Sequence, residues 1–241
     1  PDHCQVNAER LHRDLLPVLL AIPHAGHIDG KCFYGWYVKQ TLKFRSLAHW
    51  TWFDISNNGN NGTLTNGPTF NSGNGGSVVF DGTDDYVDCG NAINLQITVG
   101  TISAWVKTST PGSSYRGIIV KQNTWGLFVK DSILLSYDWG ANADRSTGVN
   151  IADGTWKNVA MTFTETSGTP SNNAVIYLNG VAVLTTTIKN SNQTVPFLIG
   201  AGSLVVQRIN GNIAITQIYN RALTSTEITH NYNALKGRFG L

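Results

Sequence analysis

Aromatic residues stand beside polar amides and acids at two points of the chain, a combination suited to sugar binding. The first is the run from Tyr137 through Asp138 and Trp139 to Asn142, and the second ends at Trp125. Sugar rings stack on exposed aromatic faces, while their hydroxyl groups hydrogen-bond to amides and carboxylates. These five residues are therefore predicted to form a carbohydrate-binding site. In the alternative, one or both tryptophans pack into the core.

Catalytic residue pairs are not evident. Glycoside hydrolysis needs two carboxylates that face one cleft, and the chain has three glutamates: Glu9, Glu165 and Glu227. Glu9 lies far upstream, Glu165 stands beside a Ser/Gly/Thr loop, and Glu227 fits a helix cap. Cys89 stands alone between Asp88 and Gly90 and is interpreted as a small buried hydrophobic residue. The sequence therefore predicts a protein that is not an enzyme.

Charge is low and balanced along the chain. Charged residues make up 13% of the 241 residues, and the net charge is +2. No basic cluster is interleaved with aromatic residues, so nucleic acid is not an expected partner. The longest apolar stretch, 15–22, is interrupted by Pro17 and is too short to span a bilayer. We therefore expect no membrane insertion.

Composition divides the chain near residue 48. The segment 1–48 is predicted to be an irregular N-terminal extension, and 49–241 a separate domain. The extension contains two of the three cysteines, Cys4 and Cys32, which leaves one disulfide between them open. Zinc binding by His24, His27 and Cys32 is not favoured, because their spacing fits no established finger pattern.

Short strands separated by Gly/Asn turns recur from residue 49 onward. In Thr98–Thr108 the residues Ile102, Ala104 and Val106 fall on one face and Trp105 on the other. The stretch 156–164 alternates in the same way. Asn179-Gly180, between two apolar runs, predicts a hairpin with a type I′ turn. An all-β sandwich follows from this pattern.

One short helix is predicted at the C-terminus. Thr224 and Glu227 have the spacing of a capping box, in which each side chain bonds the backbone of the other. Ile228, Tyr232 and Leu235 then fall on one helix face. Gly237 is the predicted left-handed residue that ends the helix.

Six motifs occur in a characteristic order along residues 50–241. They are Asp54–Leu64, Gly76–Val87, Thr101–Val106, Gly154–Val159, Val175–Gly180 and Ile218–Ile228. Together they resemble laminin-G-like domains of the concanavalin A-like lectin/glucanase superfamily. The resemblance implies a concanavalin A-like jelly-roll β-sandwich, with the short helix at its end. The family's hydrolase strand, with acids at alternating positions, is absent.

The resemblance also raises the question of calcium. Many relatives bind one Ca²⁺ with acids from the turn that here contains Asp81 and Asp84, together with an acid in the penultimate strand. That strand has Ala214, Thr216 and Gln217 where the family usually carries acids. Asp81 and Asp84 therefore remain candidate metal ligands, but local Asx turns are favoured over a bound ion. We expect no cofactor.

A narrower resemblance concerns the C-terminal motif Asn231–Gly240, which is similar to the ends of tailed-phage structural proteins. It implies a virion-surface protein, such as a capsid decoration, tail appendage or fibre tip, that mediates attachment through glycans. Its partners would be other virion subunits or further copies of itself in a homo-oligomer. The alternative is a secreted or cell-surface lectin unrelated to phage.

Overall fold

The computed structural model describes residues 34–38 (backbone only), 51–56, 58–164, 172–188, 194–203 and 206–241. These residues form sixteen strands, one α-helix and three short 3-10 helices. The strands are β1 (Tyr34–Val38), β2 (Thr51–Asp54), β3 (Gly62–Thr65), β4 (Thr69–Asn71), β5 (Ser77–Asp81), β6 (Tyr86–Asp88), β7 (Gly100–Lys107), β8 (Arg116–Lys121), β9 (Trp125–Lys130), β10 (Ile133–Asp138), β11 (Ala143–Asn150), β12 (Lys157–Phe163), β13 (Ala174–Leu178), β14 (Val181–Thr186), β15 (Phe197–Ile199) and β16 (Asn210–Tyr219). Helix α1 is Ser225–Leu235, and the 3-10 helices are Gly73–Gly75, Ile93–Leu95 and Lys236–Phe239.

The strands form two antiparallel sheets that pack face to face. The front sheet has the order β11-β10-β9-β8-β15-β6-β3-β2, and the back sheet has the order β4-β5-β16-β7-β12-β13-β14. Strand β1 hydrogen-bonds to both β2 and β16 and so joins the sheets along one edge. This strand belongs to the segment that was predicted to be an irregular extension. The predicted all-β sandwich with a short C-terminal helix is confirmed.

The core lies between the sheets and follows the two-residue period of the strands. Ile102, Ala104 and Val106 of β7 are fully buried in it, whereas Trp105 packs on the opposite face of the back sheet. Strand β12 shows the predicted alternation as well. The period of the apolar residues therefore predicted correctly which face of each of these strands is inward.

The hairpin between β13 and β14 has the predicted turn. Asn179 has φ 51° and Gly180 has φ 79°, the two positive values that a type I′ turn requires. The side chain of Asn179 also accepts a hydrogen bond from the backbone nitrogen of Asn158. The turn thus connects the hairpin to β12, its neighbour in the sheet.

Helix α1 begins with the predicted capping box. The Thr224 side chain accepts from the Glu227 backbone nitrogen, and the Glu227 carboxylate accepts from the Thr224 nitrogen. Arg221 donates two hydrogen bonds to the same carboxylate, at 2.6 and 2.9 Å. This pairing with Arg221 lowers the pKa of Glu227 to about 2.

The prediction that Gly237 is the left-handed residue that ends the helix is wrong. The chain continues as a 3-10 helix to Phe239, and the left-handed residue is Gly240 with φ 76°. The additional turn places the Phe239 ring on Trp105, with ring centroids 4.1 Å apart. Burial of this aromatic pair accounts for the longer helical segment, because stacked rings gain more than their area alone would give.

A lysine is buried at one end of the core. Lys121 is 1% exposed, and its Nζ donates to Asn91 Oδ1. It pairs across the strands with Trp125 on one side and Phe197 on the other, both fully buried. Burial disfavours the ammonium form and lowers the pKa of Lys121 to about 8.

Replacing Lys121 by Met should stabilise the protein and change its pH dependence. The unfolded chain holds this proton up to the ordinary lysine pKa of 10.5, so unfolding takes up a proton between pH 8 and 10.5. Wild-type stability should therefore rise with pH through that window, and the gain from Lys121→Met, up to about 3 kcal/mol at pH 7, should disappear. Urea titrations from pH 7 to 11 measure this difference. The exposed Lys107→Met is the control, and parallel curves for wild type and Lys121→Met would contradict the prediction.

Candidate functional site

An aromatic patch lies on the outer surface of the front sheet. We define it as the side chains of Tyr115, Tyr137 and Trp139, which rest on a buried apolar floor of Val120, Phe128 and Leu135. In β9 the residues on either side of Phe128 point into the core, so alternation directs Phe128 outward. The front sheet is therefore apolar on both faces at this position.

The three upper rings are half-buried and stand at steep angles to one another. Tyr137 is 5.2 Å from Trp139 and 5.5 Å from Tyr115, centroid to centroid, with interplanar angles of 76° and 83°. Phe128 lies below, 5.9 Å from Trp139 and 6.0 Å from Tyr115. Such edge-to-face contacts are favourable, and they hold the rings in place while part of each remains exposed.

The polar rim of the patch includes an amide. The Tyr137 hydroxyl donates to Asn142 Oδ1, which occupies the acceptor side of that amide. Asn142 is exposed and has φ 52° in the turn after β10. Its amide nitrogen remains available to donate two hydrogen bonds to a ligand. The structure thus brings together three of the predicted site residues, namely Tyr137, Trp139 and Asn142.

A second part of the rim is a charged network that the sequence did not reveal. Lys130 Nζ donates to Asp144 Oδ2 at 2.9 Å and lies 4.4 Å from the centroid of the Tyr115 ring. The Tyr115 hydroxyl donates to Asp144 Oδ1 at 2.5 Å. The hydrogen bond to Asp144 raises the pKa of Lys130, and burial raises the pKa of Tyr115. Both protons therefore stay on their donors at neutral pH.

Asp138 has a different role from the predicted one. Its side chain is buried, and it accepts from Arg145 Nη2 at 2.7 Å and from the Ala141 backbone nitrogen at 3.1 Å. Arg145 also donates to the Thr187 carbonyl, which links β11 to the end of β14. We correct the prediction accordingly: Asp138 holds the turn that carries Trp139 and Asn142, and it does not face a ligand.

Trp125 belongs to the core, and its prediction as a sugar-binding residue is wrong. It is fully buried, its Nε1 donates to the Ile97 carbonyl, and its ring lies 5.5 Å from Phe163 and 5.9 Å from Phe197. The position of Trp125 on β9 decides this outcome. Trp125 and Phe128 are three residues apart, and strand residues an odd number of positions apart point to opposite faces, so Trp125 points into the core. The alternative prediction, that a tryptophan packs into the core, is correct for Trp125.

Replacing Trp125 by Ala should lower the free energy of unfolding much more than replacing Trp139 by Ala. Trp125→Ala removes a fully buried ring and should cost about 3–5 kcal/mol of unfolding free energy. Trp139→Ala removes a half-buried ring and should cost no more than about 2 kcal/mol. Denaturant unfolding of both variants measures the difference. Equal losses would show that Trp139 is as much a core residue as Trp125.

The acidic turn after β5 is assembled largely by its own hydrogen bonds. Asp81, Asp84 and Asp85 place carboxylate oxygens within 4.8 Å of one another. Asp81 Oδ1 accepts from the Thr83 nitrogen, which confirms the Asx turn at Asp81, and Asp85 Oδ2 accepts from the Asp81 nitrogen. Burial raises the pKa of Asp85, and the hydrogen bond that its carboxylate accepts from the Asp81 backbone nitrogen opposes that rise.

The position expected for a further calcium ligand lies elsewhere in the structure. Asp81 pairs with Asn210 of β16, and Asn210 Nδ2 donates to the Asp81 carbonyl. Ala214, four residues further along, pairs with Trp105 and is buried in the cluster on the outer face of the back sheet. The absence of an acid near Ala214 is therefore not evidence against a metal ion at this turn. The β16 residue that lies beside the turn is Asn210.

Calcium should have no measurable effect on stability. The carboxylates of Asp81 and Asp85 already accept backbone hydrogen bonds, which a bound ion would have to compete with. A bound ion at a hundredfold excess over its Kd would add about 2.7 kcal/mol, or a few degrees in Tm. Calorimetry with Ca²⁺ and with a chelator checks this. A calcium-dependent rise in Tm that Asp84→Asn removes would overturn the prediction and establish a metal site.

The remaining candidate groups have structural roles or lie outside the described residues. Glu227 is paired with Arg221, and the buried Cys89 thiol has a pKa raised well above its ordinary value by burial, which keeps it protonated. The candidates outside the described part of the chain are Cys4, Glu9, His24, His27, Cys32 and Glu165. The two catalytic candidates that the structure describes are thus a helix-capping carboxylate and a protonated, buried thiol.

A shallow cleft of about 340 Å³ lies elsewhere on the front sheet. It lies at β3 and β6 and is lined by Asn61, Thr63, Thr65, Asp88, Cys89 and Gly90. It offers hydroxyl, amide and carboxylate groups but no aromatic ring for a sugar to stack on. The aromatic patch is for this reason the stronger candidate for carbohydrate.

Comparison by sequence places the chain in a family. Residues 81–229, more than half of the chain, match a laminin G family described as concanavalin A-like lectin/glucanases superfamily. The chain belongs to this superfamily. A search of curated protein sequences finds no match. The resemblance that the six motifs indicated is thus confirmed at the level of the superfamily.

Solved structures with the same fold include several binding domains. The binding domain of Paraclostridial Mosquitocidal Protein 1 superposes with TM-score 0.65 at 16% identity, over 84% of this chain and 52% of that one. Domain 4 of a GH43 extracellular arabinanase from Geobacillus stearothermophilus, in complex with arabinotriose, gives 0.56 at 20%, over 73% and 90%. The binding domain of botulinum neurotoxin DC in complex with SialylT gives 0.58 at 18%, over 83% and 50%.

The superfamily member described here thus has the fold of lectin-like binding domains. It spans about half of the length of the two toxin binding domains. At these identities the similarity concerns fold, and function must be argued from the site itself. None of the helices in the described part of the chain has the length and apolar character that crossing a bilayer requires.

Proposed function

We propose that this chain is a non-catalytic attachment module that binds carbohydrate through the aromatic patch. One observation carries the proposal: Tyr115, Tyr137 and Trp139 stay partly exposed on an outer sheet surface, beside the amide of Asn142. An exposed aromatic surface with a few fixed polar groups is what recognition of a sugar ring needs.

Side-chain contacts preorganise the patch. Its rings are held by contacts with one another and with the buried Phe128, and the following turn is held by Asp138 and Arg145. A preformed surface loses little conformational entropy on binding, which favours affinity for small ligands. The arabinanase domain and the toxin binding domain were solved in complex with arabinotriose and SialylT, respectively, which supports a sugar-binding role for this fold.

A virion surface remains our proposed location, on the resemblance of the C-terminal motif to tailed-phage structural proteins. Other virion subunits or further copies of the chain would then be its partners. The low charge of the sequence, 13% charged residues, suits an exposed particle surface covered by Asn, Thr, Ser and Gly. Gold-labelled antibodies against the chain distinguish this location from that of a secreted lectin.

Binding should depend on the patch and not on the core or the cleft. Trp139→Ala and Tyr137→Ala should each abolish binding on a glycan array and in calorimetric titration, because they remove the stacking surface. Phe53→Ala, which removes an exposed aromatic outside the patch, and Thr63→Val in the cleft are matched controls. Glycan binding that survives both patch variants and is lost in Thr63→Val would place the site in the cleft. No binding by the folded wild type to any glycan would refute the proposed function.

A further inference from the structure

The charges at the aromatic patch cancel one another. Lys130 and Asp144 form an ion pair at 2.9 Å, and the Tyr115 hydroxyl occupies the other oxygen of the same carboxylate at 2.5 Å. Lys130 Nζ also donates to the Tyr115 oxygen. The three residues therefore bond to one another, and their one positive and one negative charge sum to zero.

The other charged pair near the patch is also compensated. Asp138 and Arg145 form an ion pair at 2.7 Å, with the Asp138 carboxylate buried. This pair stabilises the turn below Trp139 and Asn142. Neither ion pair leaves a net positive charge that could attract an anionic ligand to the rings.

The groups that remain for a ligand are the amide nitrogen of Asn142, the exposed parts of the three rings and the third N–H of Lys130. The first two are uncharged, and the positive charge of Lys130 is balanced by the Asp144 carboxylate. A neutral sugar can stack on the rings and accept a hydrogen bond from Asn142 without disturbing an ion pair. An acidic sugar would instead meet the Asp144 carboxylate, and its attraction to Lys130 would be offset by that like charge.

We propose that the patch selects neutral glycans and rejects acidic ones, with Asp144 as the residue that determines this specificity. The inference rests on the proposed function, because it names the class of sugar that the same site accepts. The rejection is a repulsive element built into the site, which is one of the two ways in which a protein discriminates between ligands.

Matched pairs of glycans test the proposal directly. Oligosaccharides that share a neutral core and differ by one sialic acid or one uronic acid are compared by calorimetry at low and high NaCl. The neutral member should bind with a Kd that salt does not change, and the acidic member at least about tenfold more weakly, a difference of about 1.4 kcal/mol.

Asp144→Asn should reverse the discrimination. It keeps the shape of the side chain, leaves an acceptor for Tyr115, and releases the charge of Lys130. Acidic glycans should gain about tenfold or more in affinity relative to their neutral partners, and their binding should become salt-dependent. Adding Lys130→Met to this variant should abolish the gain. Asp153→Asn is the matched control, because Asp153 forms an equivalent surface ion pair with Lys157, at 2.7 Å, outside the patch.

The outcomes separate the inference from the proposed function. Wild type that binds acidic glycans as well as or better than their neutral partners, through Trp139 and in a salt-dependent way, overturns the inference and leaves the carbohydrate-binding role in place. Asp144→Asn that gains no acidic ligand while it remains folded also overturns the inference. Wild type that binds neither class refutes both.

Discussion

The inward faces of the two sheets meet in a continuous apolar core, and every other feature depends on that packing. Large rings dominate its centre, with Trp52, Trp125 and Phe163 fully buried. Successive side chains of a strand point to opposite faces of the sheet. When one set of alternating residues is buried in the core, the other set therefore lies on the outer face of the sheet. The aromatic patch and the Trp105–Phe239 cluster on the back sheet are both consequences of this assignment.

Phe128 and Leu135 point away from the core, onto the outer face of the front sheet. Other side chains must therefore shield these apolar residues from water. Tyr115, Tyr137 and Trp139 supply that cover and remain partly exposed themselves. Amphipathic rings suit this position, since their bodies exclude water from the floor while their polar groups reach the rim. Stability and ligand binding thus use the same residues, which explains why a binding surface can exist here without a deep cavity.

Much of the fold could be predicted because local sequence patterns specify it. The period of two in β7 and β12, the Asn179-Gly180 turn and the capping box at Thr224 act between near neighbours in sequence, and the structure confirms them. Strand β11 was not predicted, because its sequence is almost entirely polar. It is an edge strand whose outer residues face solvent, so it needs few apolar side chains. The left-handed residue was misplaced at Gly237 instead of Gly240, because the 3-10 helix between them depends on a distant contact between Phe239 and Trp105.

The sequence by itself determined the sandwich and the region where aromatic residues gather beside amides, since these follow from composition, period and turn chemistry. The superfamily followed from the resemblance of the six motifs to laminin-G-like domains, which the family match supports. Tertiary structure alone decided which of those residues can meet a ligand. It buried Trp125, turned Asp138 toward Arg145, and brought Tyr115, Lys130 and Asp144 together from three separate segments. The physical reason is strand register. The strands β8, β9, β10 and β11 are consecutive, and the register of their pairing, with its bulges, decides which side chains meet on one face; local patterns do not specify that register.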